Sequence, residues 1–481
     1  MCLFGPIEVH MGARRLQLEL LAHAGRLLLE YDESTGEIHH TLETTARRLT
    51  QDACKVSVAY GGVTVSLAGE GPVLMPVREL RYNMALQARI HAILQRVCGG
   101  ELDPATGLAQ LQRAEVDTPR HSRWLAVLLL GVAAASLAGL LGADAGAIMA
   151  AGLATALGLL ARQELARRHF CLLMLPLTAA FIGAILGGVT IRLGWTRTPG
   201  LALIVPSLML VPGPHLINGL LGLIDNYLPM SIARLGLAAA ILLASALGIV
   251  LGIELTLSGP LGADQGVTSE HLNVFSDMLL AGIVTCGFAV FYNTPWAQVA
   301  MAALGGMAGH GLRFLAVEAG WTLEAATLLG GFAVGVVSAW IAQSNRTPIA
   351  VIAFAGAVTM MPGLQMYRAL SGALQLARLK NETDLQTIAG TLGDASQACL
   401  VVGALALGFI VGAWVVRTLI NERDFPSVSG ADANPAEVSA VETRPETARA
   451  PASPSPRASS QHSDRPARGD AELERVTHPR E

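Results

Sequence analysis

The chain has 481 residues, of which 52% are hydrophobic and only 15% charged, with a mean hydropathy of +0.48. That is too apolar for an ordinary soluble protein and fits a polytopic helical membrane protein carrying some soluble mass. A formal net charge of −4 argues against a nucleic-acid partner.

Residues 1–120 read as a soluble domain. Leu16 to Leu29 and Glu37 to Leu49 carry helical apolar periodicity. Lys55 to Tyr60 and Val63 to Leu67 alternate with period two around Gly61-Gly62, which predicts a β-hairpin. Asp103-Pro104 predicts a helix start, the carboxylate capping and the proline occupying the first helical position. The expectation is a small α/β domain with helices flanking a short sheet. Met1 to Arg15 lacks a basic region followed by an apolar run, so no cleaved signal peptide is expected. Cys2, Cys54, Cys98, Cys171, Cys286 and Cys399 form no C-x-x-C pair and are expected to be reduced.

From Trp124 the character changes. Crossing a hydrocarbon core of ~30 Å takes ~20 apolar residues. Spans are expected near 124–142, 144–161, 170–191, 199–221, 232–257, 275–294, 297–316, 322–342, 348–370 and 396–418. The polar loop Ser258 to Asn273 has no Lys or Arg and divides them five and five, into halves at 121–258 and 274–420. Residues 421–481 are rich in Pro, Ser and Arg and are expected to be a disordered tail.

Arg120 and Arg123 flank the first span, Arg162, Arg167 and Arg168 follow the second, and Arg417 and Arg423 follow the last. The positive-inside bias then puts the N-terminal domain and the tail in the cytoplasm, and the chain, multi-pass, in the cytoplasmic (inner) membrane. Arg378 and Lys380, on the outer side in this topology, run against it.

Two spans carry the same interruptions. Arg197-Thr198-Pro199 leads to Val211-Pro212-Gly213, and Arg346-Thr347-Pro348 leads to Met361-Pro362-Gly363. Proline removes a helical hydrogen bond, and in lipid the freed groups must be met by protein or by a water-filled cavity. Matched broken spans in two halves point to a transporter's binding site. Ala246 to Gly252 likewise matches Ala406 to Gly412 at the end of each half. Because five is odd, duplicated halves would be inverted repeats, with the Pro-Gly breaks facing each other near the midplane. Chance matching of Leu, Gly and Val is the alternative.

Pro206-Ser207-Leu208-Met209-Leu210-Val211-Pro212-Gly213, followed by Asn218, resembles the signature of the threonine/serine exporter family. Phe291-Tyr292-Asn293-Thr294-Pro295, and Met361-Pro362-Gly363 with Tyr367, resemble its second transmembrane half. Gly25 to Glu30 and Ser34 to Glu37 resemble its cytoplasmic domain. The resemblance covers about residues 15–420 in the fused arrangement. It implies secondary export of small hydroxy amino acids driven by an ion gradient, and related two-subunit forms imply dicarboxylate export. The family tends to place an acidic residue shortly after the Asn, where this chain has Gly222 and then Asp225.

An amino acid needs donors for its carboxylate and acceptors for its ammonium, and the ends of half-helices offer both. Pro212, Gly213, Pro362 and Gly363 are therefore candidate substrate-binding positions, a packing kink being the alternative. His215 and Asn218 follow the first break, and Gln365 and Tyr367 follow the second. Histidine is the side chain suited to a proton relay near neutral pH, which makes His215 a relay candidate. Asp225, Asn293, His310 and Arg313 are candidates for coupling or for the pathway. His310 and Arg313 are expected near the outer end, where Arg can snorkel. His39-His40 with Glu37 and Glu43 lacks metal-ligand spacing, so neither metal nor cofactor is expected. The expected partners are a small-molecule substrate and membrane lipid, and self-association stays open.

Lys55 and Lys380 are the only lysines and neither follows a Gly-rich run, which removes an ATP-driven pump. The rival classes are a membrane sensor and a hydrolase-like enzyme built on Asp32, Glu33, Glu37 and Glu43, which nothing in the sequence aligns.

Overall fold

The computed structural model describes residues 5–257, 273–345, 347–379 and 385–424. Residues 421–424, expected to open the disordered tail, are helical; the rest of the tail and the polar loop between the halves as far as residue 272 fall outside the described residues.

The N-terminal part opens with α1 (Gly5–Glu30) and α2 (Thr35–Thr50). Then come β1 (Cys54–Ala59), β2 (Gly62–Leu67) and β3 (Val73–Pro76), followed by α3 (Met84–Cys98) and α4 (Pro104–Asp117). The strands form one antiparallel sheet in the order β1-β2-β3. The hairpin register pairs Ala59 with Gly62. Sequence reasoning does not find β3, a four-residue edge strand ending in proline, a residue that sheets accept at such an edge. Leu20, Leu27, Ile38, Val63 and Ile90 build a core shared by the helices and the central strand. Ser34 caps α2 and Asp103 caps α4 through their side-chain oxygens, the second with Pro104 at the first helical position as expected.

The membrane part runs α5 (Arg123–Leu140), α6 (Ala145–Arg167), α7 (Met174–Arg192), α8 (Pro199–Leu208), α9 (Gly213–Ile224) and α10 (Leu228–Thr256). The second series is α11 (Val274–Phe291), α12 (Trp296–Glu318), α13 (Leu323–Asn345), α14 (Ile349–Val358), α15 (Gly363–Leu379) and α16 (Leu385–Asp424). Among the described residues, eight helices are long and apolar enough to cross a membrane, and the bent pairs α8/α9 and α14/α15 bring the number to ten. Leu128, Met149, Leu255 and Trp340 point outward, a surface suited to acyl chains.

Packing in the two series corresponds. α7 packs on α10 as α13 packs on α16, and α8 meets α15 as α14 meets α9. The matched glycines explain the closest of these contacts. Gly248 and Gly252 bring α10 onto the α7 backbone at Leu177 and Phe181. Gly408 and Gly412 bring α16 onto the α13 backbone at Leu328 and Phe332. Small residues four apart allow such an approach where no side chain has room.

Candidate functional site

Each break has the same local construction. Leu210 N–H donates to Ser207 O and Val211 N–H to Leu208 O; Met360 N–H donates to Ala357 O and Met361 N–H to Val358 O. Gly213 N–H then donates to Val211 O at 2.8 Å, and Gly363 N–H to Met361 O at 2.8 Å. These last bonds are inverse γ-turns around Pro212 and Pro362, and Pro212 has the matching φ of −80° and ψ of 66°. The chain turns by 63° at the first break and by 57° at the second.

The breaks also touch. A Cβ at Gly213 would meet Val358 Cγ2 at 2.9 Å, and one at Gly363 would meet Leu208 Cδ2 at 3.0 Å. Glycine lets each break sit against the half-helix of the other. Tyr367, fully buried, ties the pair further by donating its hydroxyl to Ser207 O at 2.9 Å. That bond gives the Ser207 carbonyl, near the end of α8, a second donor beside Leu210 N–H.

A central cavity of about 280 Å³ lies against the second break. Its polar lining is Asp277 from α11, His310 and Arg313 from α12, Thr359 and Gln365. His310 Nδ1 lies 2.5 Å from Asp277 Oδ2. Gly363, Leu364 and Gln365, the first turn of α15, complete one wall. The amides of Leu364 and Gln365 have no acceptor within their own helix, and they stand at its positive end. At the first break the residue after the glycine is Pro214, which has no N–H. The two breaks therefore differ by one donor.

A smaller cavity of about 100 Å³ borders the first break at Pro212, Pro214 and His215, with Tyr82, Arg162 and Tyr292 around it. Burial, then the nearby Asp32 carboxylate, pushes the Tyr82 phenol well above its ordinary range.

His215 faces the N-terminal domain. α1 ends in a Schellman arrangement: Glu33 N–H donates to Leu28 O, and Asp32 N–H to Leu29 O. Asp32 takes the left-handed position there, with φ 59°. Its carboxylate is fully buried (0% exposed). Oδ2 lies 3.0 Å from His215 Nδ1, and Oδ1 lies 3.4 Å from Arg234, also fully buried. Asn218 donates to Asp32 O at 2.7 Å, and Arg234 donates to Glu33 O at 2.5 Å. Glu33 lies 3.4 Å from His91. Two membrane helices thus satisfy the turn that ends α1.

The second series holds the same domain from another side. Met84 and Ala85 N–H donate to Tyr292 O and Asn293 O. Asn293 Nδ2 donates to Asn83 Oδ1 at 2.7 Å and to Pro119 O at 3.1 Å, while its Oδ1 accepts from His121 N–H.

The structure thus sorts the residues singled out from sequence into three places. Pro362, Gly363, Gln365, His310 and Arg313 gather at the central cavity. Pro212 and His215 line the smaller one, with Gly213 against α14. Asn218 and Asp225 lie where the domain meets the helices. Asn293 and Tyr367 line none of these spaces, and their side chains are engaged by protein. Arg313 lines the cavity together with Asp277 and His310. Asp32 and Glu33, unaligned in the sequence, are the docking turn.

Asp277 is the functional candidate that sequence reasoning missed. Its signal was present: a carboxylate inside the expected span 275–294. Among the described residues, no group of three His, Cys, Asp or Glu side chains is placed to hold a metal ion.

Two family models match the chain. One, described as "Putative threonine/serine exporter", covers residues 19–256. The other, described as "Threonine/Serine exporter, ThrE", covers residues 277–415. No solved structure matches.

Proposed function

Because the chain belongs to the threonine/serine exporter family, we propose that it moves threonine or serine out of the cytoplasm in exchange for protons, with the central cavity as its substrate site. One observation carries this reading: complementary groups for a zwitterion surround one cavity. Arg313 and the amide end of α15 suit a carboxylate, and Asp277 suits an ammonium. At about 280 Å³ the space lies just below the range typical of drug-sized ligands, as befits a small metabolite. Thr359 and Gln365 offer partners for a side-chain hydroxyl.

The coupling follows from competition. Asp277 can pair with protonated His310 or with a substrate ammonium, and either partner weakens the other's hold. Proton arrival at His310 then favours substrate release, which gives exchange. The corresponding packing of the two series supports inverted repeats that rock around the touching breaks. The positive flanks of the spans support a cytoplasmic membrane location with the domain on the inner side.

The charge balance disfavours a dicarboxylate, which would set its second anion against Asp277. Burial of Asp32 between His215 and Arg234 removes it from acid–base work on a soluble substrate. The test uses proteoliposomes loaded with labelled threonine under an imposed pH gradient. Wild-type protein should release label, while Asp277→Asn and His310→Gln should lose gradient-driven release at least tenfold. Undiminished release by Asp277→Asn would remove the cavity from the mechanism.

A further inference from the structure

A third and larger cavity, of about 800 Å³, lies between the N-terminal domain and the membrane helices. We propose that it is a second binding site, for small molecules bearing a primary ammonium group, where an amino acid is held before it enters the central cavity. The identity of that amino acid rests on the exporter reading; the ammonium preference does not.

Three carboxylates border the space, each from a different segment: Glu33 from the turn after α1, Glu37 from α2 and Asp225 after α9. Arg417 is the sole Arg or Lys among its lining residues. The wall is thus rich in acceptors.

Unsatisfied oxygens give independent support. Asn218 is 1% exposed, and its Oδ1 has no hydrogen-bond partner although its amide nitrogen is engaged. Glu33 is 2% exposed, and its Oε2 accepts no hydrogen bond, its nearest charged neighbour being His91 Nε2 at 3.4 Å. Thr347 Oγ1, on the membrane side, is a third. Buried acceptors are normally paired, by protein or by ordered water. All three belong to the lining of one cavity; Glu33 Oε2 has His91 beside it, and for Asn218 Oδ1 and Thr347 Oγ1 the cavity's contents are the partner that remains. Phe354 and Phe409 on the opposite helices supply an apolar wall for a short side chain.

The position suits a loading site. Phe354 of α14 lines this cavity, and Val358, one turn on, lines the central one. Four residues of helix rise only about 6 Å. The touching breaks lie at that level, so passage from one cavity to the other requires only that they part.

The experiment measures equilibrium binding to the full chain in detergent, using labelled threonine and, separately, labelled 1-amino-2-propanol, which keeps the ammonium and lacks the carboxylate. Wild-type protein should bind two threonines per chain. The double variant Glu37→Gln/Asp225→Asn should bind one, and Asp277→Asn should bind one. The aminoalcohol should bind Asp277→Asn and lose at least tenfold in affinity with the double variant. 3-Hydroxybutyrate, which lacks the ammonium, should not compete for it. Elution profile and thermal midpoint establish that each variant is folded, and Asp225→Asn alone serves if the double variant is not. If the double variant binds both probes as wild type does, the cavity is a water-filled vestibule only and the inference fails. If no threonine binds but the aminoalcohol binds and depends on Glu37 and Asp225, the exporter reading fails and the site stands.

Discussion

Asp32 shows how a single residue can be chosen against local preference. The position after a Schellman-terminated helix favours glycine, because only glycine adopts the left-handed region without cost. Here an aspartate occupies it, and its carboxylate lies between Arg234 and His215. Asp32→Gly should therefore destabilise the protein even though it relaxes the backbone. Arg234 would be left as an uncompensated buried charge, at a cost of about 3–5 kcal/mol. Thermal unfolding in detergent measures this, and a variant as stable as wild type would mean that Arg234 finds another partner. Asp144 is a milder case. Burial would raise its carboxyl, but hydrogen bonds from Arg197 and Ala147 N–H and from the Thr196 and Thr198 hydroxyls hold it below the ordinary value. A depressed carboxyl contributes stability above its unfolded pKa and loses it as pH falls through the folded one. Asp144→Ala should cost about 1–2 kcal/mol at neutral pH, and less in acid. None of these pairings was legible in the sequence, because Asp32 and Arg234 are two hundred positions apart in the chain and nothing local links them. Asp277 was legible in principle, since a charge within a span is a signal by itself.

The broken helices are the elements that the sequence showed most clearly. Pro-Gly inside an apolar run has few structural meanings, and the R-T-P leads gave each break its register. The residues after the breaks already differ in the sequence, and the structure adds which difference faces the cavity. That difference rests on one atom: Leu364 has an amide hydrogen where Pro214 has none. Leu364→Pro should keep the turn, since proline fits the first turn of a helix. It should weaken binding of the substrate carboxylate through one lost charge-assisted bond, raising KM for threonine about tenfold. An unchanged KM would place the carboxylate elsewhere. The edge strand β3 was missed for the opposite reason, being too short to show an alternating pattern.

For the whole molecule, the relevant variable is how firmly the domain holds the helices. Two of its histidines respond to acid. Burial, assisted by Arg26, depresses His23, and burial depresses His39 against the pull of Glu43. His39 also stacks on Tyr227, at the start of α10, with ring centroids 4.8 Å apart. The unfolded chain binds protons on these groups more readily than the folded one. Stability should then fall as pH drops below the ordinary value of 6.5 toward the depressed values. A pH series of thermal midpoints, with His39→Gln flattening the acid limb, checks this.

The domain grips both series at once: α9 and α10 through the turn at Asp32, and the connection between α11 and α12 through Tyr292 and Asn293. Continuity of the chain between the two series is then not what keeps them together. A gene cut between residues 257 and 273 and expressed as two polypeptides should still yield an assembled particle. The N-terminal fragment carries the clamp, and the C-terminal fragment should co-purify with it. Asn293→Ala, which removes the side-chain bonds of the clamp's second jaw, should weaken that recovery while leaving the uncut protein intact. In these terms the N-terminal domain is an intramolecular fastener, and complementation between fragments is its assay.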